Sequence, residues 1–99
     1  KKAMIKLPVI PNYKLTKVVM ASIAKNSTNH NYLFAITDAQ KNVISGGEEY
    51  KLNGSKYTYN LTLPADDTEC YICISNTSSS GNTNPANISY LSLVYSKIE

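Results

Sequence analysis

Two cysteines three positions apart, in Cys70-Tyr71-Ile72-Cys73, are the residues of this chain best suited to chemistry. Such a pair serves zinc binding or thiol redox work, but a structural zinc site takes four ligands, often from two such pairs. There is no second pair, and His30 is the single histidine. The local run Cys-Tyr-Ile-Cys-Ile is made of strand formers, and on a strand positions i and i+3 point to opposite faces. The spacing therefore predicts diverging thiols, no disulfide between them, and small apolar strand residues instead of a site. Free thiols in an exported protein would point to a reducing or anaerobic habitat.

The carboxylates are few. Asp66, Asp67 and Glu69 follow Pro64 in a segment that reads as a turn, and Glu48 and Glu49 follow Gly46-Gly47 in another. Folding can bring two distant carboxylates into a catalytic dyad, but nothing in the pattern selects one. A calcium site from Asp66, Asp67 and a backbone carbonyl is chemically conceivable, and turn solubility is the preferred reading. His30 lies among Asn and Ser with no nucleophile motif around it. Gly46-Gly47 lacks the third glycine and the following Lys-Ser/Thr of a phosphate loop. These absences lead us to expect no enzyme, no cofactor and no metal.

The residues left are those that bind without reacting. Sugars offer C–H faces to aromatic rings and hydroxyls to amide side chains, and the chain has 8 tyrosines and many asparagines. Asn29-His30-Asn31-Tyr32 sets three polar groups beside a ring. Tyr50 lies in the next polar stretch, and the loop carrying Asn82 and Asn84 is placed to approach from the same end. These seven are the candidate ligand-binding residues. The competing reading makes Tyr32 core and the asparagines turn formers.

The elements that position them are short and extended. Met4 to Leu7 reads as a first strand, closed by Pro8 and Pro11, and Leu15 to Ala24 as a longer one. Tyr32 to Thr37, Val43-Ile44 and Tyr50 to Leu52 follow. Tyr57 to Leu63 alternates strictly, with Tyr57, Tyr59, Leu61 and Leu63 on one face, until Pro64 stops it. Cys70 to Ser75 and Ile88 to Tyr95 complete the set. No segment reads as a helix, since Ile36 to Gln40 is too short. Seven to eight such strands predict an all-β, antiparallel β-sandwich of jelly-roll type in one domain, residues 1–99.

Composition narrows the partners. All ten basic residues are Lys and scattered, and the net charge is +3. Without the forked guanidinium of Arg, nucleic acid is not an expected ligand. No apolar run reaches the ~18 residues of a membrane helix, so this segment is not expected to insert directly. The chain reads as a piece of a longer, processed protein. Four Asn-x-Ser/Thr triplets, at Asn26, Asn60, Asn76 and Asn87, carry little weight in so Asn-rich a sequence.

Several segments bear a resemblance. Ile5-Lys-Leu-Pro-Val-Ile-Pro-Asn-Tyr-Lys-Leu-Thr-Lys-Val resembles the I-x-L-P-x-I-x-x-Y-K-L-x-x-V segment of Bacteroidales secreted β-sandwich modules. Tyr57 to Leu63, Tyr71-Ile72 and Asn87 to Tyr95 are similar to later strands of those modules. The resemblance implies a jelly-roll or galactose-binding-like domain of an exported surface protein, secreted, lipid-anchored at the outer membrane or facing the periplasm. It implies carbohydrate binding or adhesion beside other domains of a parent protein. The expected function is thus a non-catalytic cell-surface module for glycans. The alternative is a structural spacer or protein-interaction unit, with an edge strand near the N-terminus free to pair with a neighbour.

Overall fold

The computed structural model describes residues 2–22, 32–52, 54–76 and 88–98, and all regular structure in them is extended. Six strands form: β1 (Lys2–Lys6), β2 (Tyr13–Ser22), β3 (Tyr32–Thr37), β4 (Tyr57–Asn60), β5 (Tyr71–Asn76) and β6 (Ile88–Lys97). They make two antiparallel sheets, ordered β1-β5-β3 and β4-β2-β6. The two sheets share one core of Leu7, Leu15, Val18, Met20, Phe34, Ile36, Leu52, Tyr59, Leu61, Leu63, Cys70 and Ile72. The arrangement is sandwich-like.

Among the described residues the strand count is six, not the expected seven to eight. Val43 and Tyr50 each make a single bridge to β3, opposite Thr37 and Phe34, without becoming strands. Leu61 and Leu63 keep the buried face begun at Tyr59, but Leu61 donates a last hydrogen bond to β2, at the Thr16 carbonyl (2.9 Å), and β4 stops at Asn60. β6 runs two residues past Tyr95. Ile23 and Ala24, placed in the second strand by sequence, lie outside the described residues.

The alternation of β2 changes phase within the strand. Leu15 is buried on an odd position, and Val18, Met20 and Ser22 on even ones. The phase changes at Thr16, where the pairing with β6 shifts from Leu15 opposite Tyr95 to Lys17 opposite Val94. This bulge inserts one residue, and the Thr16 hydroxyl donates to the Val94 carbonyl at 3.2 Å.

One side of the sandwich is fastened by the Gly46-Gly47 turn. Ile36 donates its N–H to the Gly47 carbonyl (2.9 Å) and accepts from Ile44 (3.1 Å), while Thr62 donates to the Ser45 carbonyl (3.1 Å). The turn is therefore bonded to both sheets. A Cβ at Gly46 would stand 1.7 Å from the Asn60 carbonyl oxygen, and one at Gly47 2.5 Å from that of Ile36. Gly46 also holds φ at 89°, a conformation costly to any side chain.

The opposite side carries β1 and β6, each an outer strand of its sheet among the described residues. There the sheets meet at a corner, where Leu7 donates to the Cys70 carbonyl and the Tyr95 hydroxyl to that of Pro8 (2.5 Å).

Candidate functional site

The fastened side carries an aromatic cluster. Tyr50 and Phe34 exchange both backbone hydrogen bonds, each at 2.9 Å, which sets the Tyr50 side chain on the same face as the buried Phe34. Tyr57 begins β4 opposite Met20, so its ring comes inward from the other sheet. The two rings stack with centroids 3.8 Å apart and planes 12° from parallel. Tyr57 in turn meets Tyr59 edge to face, at 4.9 Å and 78°. Tyr59 is buried, and its hydroxyl donates to the Phe34 carbonyl at 2.6 Å. Burial, then the neighbouring Tyr57 and Tyr50, push the Tyr59 phenol well above its usual range, so it stays a neutral donor.

The outermost ring of this series is Tyr50, 44% exposed. One of its faces is occupied by Tyr57 and its position is fixed by the two backbone bonds to Phe34. This is a rigid aromatic surface with little conformational freedom left to lose on binding.

Of the seven candidates, Asn29, His30, Asn31, Asn82 and Asn84 lie outside the described residues. Tyr32 opens β3 opposite Asn76; it is half-buried and packs against the core. It shares the inward face of its sheet with Phe34, the residue to which Tyr50 is bonded. Ser22 donates its hydroxyl to the Leu52 carbonyl at 3.0 Å, joining the end of β2 to the segment of Tyr50. Ser22 faces Ile88 in register, and Tyr32 faces Asn76. The four strand ends flanking residues 23–31 and 77–87 therefore stand at one end of the sandwich, beside Tyr50.

Sequence reasoning missed Tyr57. Its strict alternation with Tyr59, Leu61 and Leu63 marked it as core, but the first residue of a strand sits at the rim. Lys56 was missed as well: its Nζ lies 4.0 Å from the centre of the Tyr90 ring. Tyr90 faces Ala21 across the ladder, and Lys56 precedes Tyr57, the partner of Met20. The Lys56 chain and the Tyr90 ring thus flank Ala21, which is buried although it points away from the core.

The acids serve turns. The Asp38 carboxylate accepts from the backbone N–H groups of Gln40 and Asn42, both at 2.9 Å, and holds Lys41 at φ 68°. The Asn42 N–H, foremost among these bonds, holds its carboxyl below the usual range. Asp66 accepts from the Asn12 N–H at 3.2 Å. Glu69 pairs with Lys6 at 3.1 Å and accepts from the Tyr71 hydroxyl at 3.2 Å. Among the described residues, no three of His, Cys, Asp and Glu gather as metal ligands would.

The thiols diverge as their spacing predicts. Cys70 belongs to the core, and Cys73, level with Met4 and Ala35, lies on the outward face. Both are free and buried. Burial raises the Cys70 thiol, which suppresses its thiolate and its nucleophilicity. Beside it, Leu7, Pro8, Leu63 and Tyr95 line a crevice of about 10 Å³, space for one water.

These features describe an all-β, sandwich-like domain with an aromatic cluster at one rim. No protein-family model matches the chain, and neither a curated protein nor a solved structure matches it.

Proposed function

We propose that this chain is a non-catalytic carbohydrate-binding module of an exported cell-surface protein, with a jelly-roll-like sandwich as its scaffold. The observation that carries this reading is the Tyr50 ring, exposed on the rim and pinned face to face on Tyr57. A sugar ring stacks on such a surface through its C–H face, and a rigid ring loses little entropy in holding it. Tyr32 and the amide and imidazole groups of Asn29, His30, Asn31, Asn82 and Asn84 would supply polar contacts to the hydroxyls. The common end of the strands flanking their loops supports this role.

A glycan array probed with the folded chain tests the proposal. A competable signal that Tyr50→Phe retains and Tyr50→Ala weakens by ~10-fold or more is the expected result, because stacking needs the ring and not the hydroxyl. Equal binding by the alanine variant would remove Tyr50 from the site. Silence across the array would favour a second reading, a spacer or protein-interaction unit. Exposed apolar side chains along β6 and the β1–β2 corner support that reading: Val9, Ile10, Tyr90, Leu91 and Val94 are all at least 38% exposed.

A further inference from the structure

We propose that β6 is a self-pairing edge, through which two copies of this chain join β6 to β6 antiparallel into one continuous six-stranded sheet. This surface is separate from the Tyr50 rim, and the inference does not rest on carbohydrate binding.

β6 is an outer strand of its sheet, ten residues long, with no Pro or Gly and no charge between Ile88 and Ser96. Natural edges of this length are normally blunted by a mid-strand Lys, a Pro or a covering loop. The other edge of the same sheet is treated in that way: β4 has four residues, and the Ser45 carbonyl covers its continuation at Thr62. On β6 the only interruption is a register shift between Tyr90 and Ile88, leaving a regular run from Tyr90 to Lys97.

The geometry also selects the register. The Val94 carbonyl faces β2, where it accepts the Thr16 hydroxyl. Backbone groups alternate direction along a strand, so those of Leu91, Leu93 and Tyr95 face outward. A two-fold axis through Leu93 sets Leu93 opposite its own copy and Leu91 opposite the copy's Tyr95. Each of these three residues then exchanges both hydrogen bonds with its opposite number. Their side chains lie on the core-facing side, giving aliphatic–aliphatic and aromatic–aliphatic pairs across the join. Leu91, core-facing yet 44% exposed in the single chain, gains cover.

Along the strand itself, a second copy can join without like charges meeting. The β6 run is neutral except at Lys97, and antiparallel pairing sends the two Lys97 residues to opposite ends. β6 itself alternates in the phase that this register requires and brings no charge into it. Around the join, however, sheet β4-β2-β6 carries Lys14, Lys17 and Lys97, with Lys56 just before β4, and no acid. Those charges oppose association, and added salt screens them. The seven-residue pairing, Tyr90 to Ser96 on each copy, spans only ~23 Å. Without other docked elements it falls below the ~1,000 Å² of a stable interface. The dimer is therefore reversible and concentration-dependent.

Sedimentation equilibrium of the chain, over a concentration series at low and high salt, tests this. The expected result is a monomer–dimer equilibrium that tightens as salt rises. Val94→Lys places a charge at an exposed mid-strand position and should weaken dimerisation by ~10-fold or more. Leu91→Pro removes an outward N–H while leaving the β2 ladder bonded, and should also yield a folded monomer. Val94→Thr, uncharged and β-branched, should dimerise like the wild type. Circular dichroism of each variant establishes that it is folded. A wild-type chain that stays monomeric to its solubility limit at high salt would overturn the proposal. So would folded Val94→Lys and Leu91→Pro variants that associate as tightly as the wild type. Glycan binding that persists in the monomeric variants would keep the two sites distinct.

Discussion

The two long sides of this sandwich are made from similar residues and finished in opposite ways. Where β3 faces β4, the chain between them folds back as the Gly46-Gly47 turn and bonds to both sheets, and Tyr50 and Tyr57 stack across the gap. Where β1 faces β6, the sheets touch at the Pro8–Tyr95 corner, and Ile5 and Leu91 remain 44% exposed. One side spends its backbone groups on itself. On the other, the described residues place no such turn between the sheets. Apolar content alone does not separate the two; the difference lies in whether a segment without side chains can enter between the sheets.

The largest effect expected from this contrast is on stability. Gly46→Ala forces a methyl group to within 1.7 Å of the Asn60 carbonyl and into a left-handed backbone conformation. Backbone cannot retreat there without opening the sandwich, so we expect a loss of about 3 kcal/mol or more. Leu91→Ser on the open side should change stability by about 0.5 kcal/mol or less, as exposed substitutions do. Urea unfolding of the two variants side by side checks the pair. Equal losses would mean that the turn is no more structural than the open edge.

A smaller effect separates the buried end of the aromatic cluster from its rim. Tyr59→Phe removes the hydroxyl bond to the Phe34 carbonyl, which still accepts the Tyr50 N–H. With the acceptor satisfied, the loss should be about 1 kcal/mol at neutral pH. The pH dependence follows from the raised Tyr59 phenol. The folded state holds its proton more tightly than the unfolded chain does. Stability is therefore intact below the ordinary tyrosine value of about 10 and falls as the pH rises above it. Thermal unfolding from neutral to alkaline pH should show that decline in the wild type and a shallower one in Tyr59→Phe. Identical alkaline limbs would move the sensitivity to another group.

Much of this architecture was written in local residue patterns. β3, β5 and the Tyr57–Tyr59 alternation show in the sequence because each strand's phase depends on its own side chains. Three features were not legible, each for a physical reason. The Thr16 bulge shifts the buried phase of β2, so Leu15 and Val18 look out of step until β6 is laid beside them. Gly46-Gly47 is visible as a break, but its role as a fastener depends on the carbonyls of Ile36 and Asn60, far away in sequence. Val43 and Tyr50 carry strand-forming side chains, yet the turn between them leaves room for one bridge each. For the candidate site, Tyr50 was legible as an aromatic in a polar stretch. Its partner Tyr57 was hidden, because an inward-alternating tyrosine reads as core whether it lies in the middle of a strand or at its rim.

The smallest expected effect compares two carboxylates, one on each side. Asp38 on the fastened side accepts backbone N–H groups and shapes the turn from β3 to Val43. Glu69 on the open side joins Lys6 of β1 through an exposed ion pair that costs two flexible side chains their freedom. Both carboxyls are held below their usual range, Asp38 foremost by the Asn42 N–H and Glu69 foremost by its bond to Lys6. For each, the stabilisation is present above the ordinary carboxylate value and fades as the pH falls through the lowered one. The two should nevertheless respond differently to substitution. Asp38→Ala strips acceptors from backbone donors and should lower stability measurably, while Asp38→Asn retains a side-chain oxygen and should recover part of the loss. Glu69→Gln should lower stability at neutral pH only slightly, and raising the salt should shrink even that small loss. A clear destabilisation by Glu69→Gln would show that β1 is kept on β5 by its ion pair and not by the ladder alone, making the open side less open than its exposed leucine and isoleucine imply.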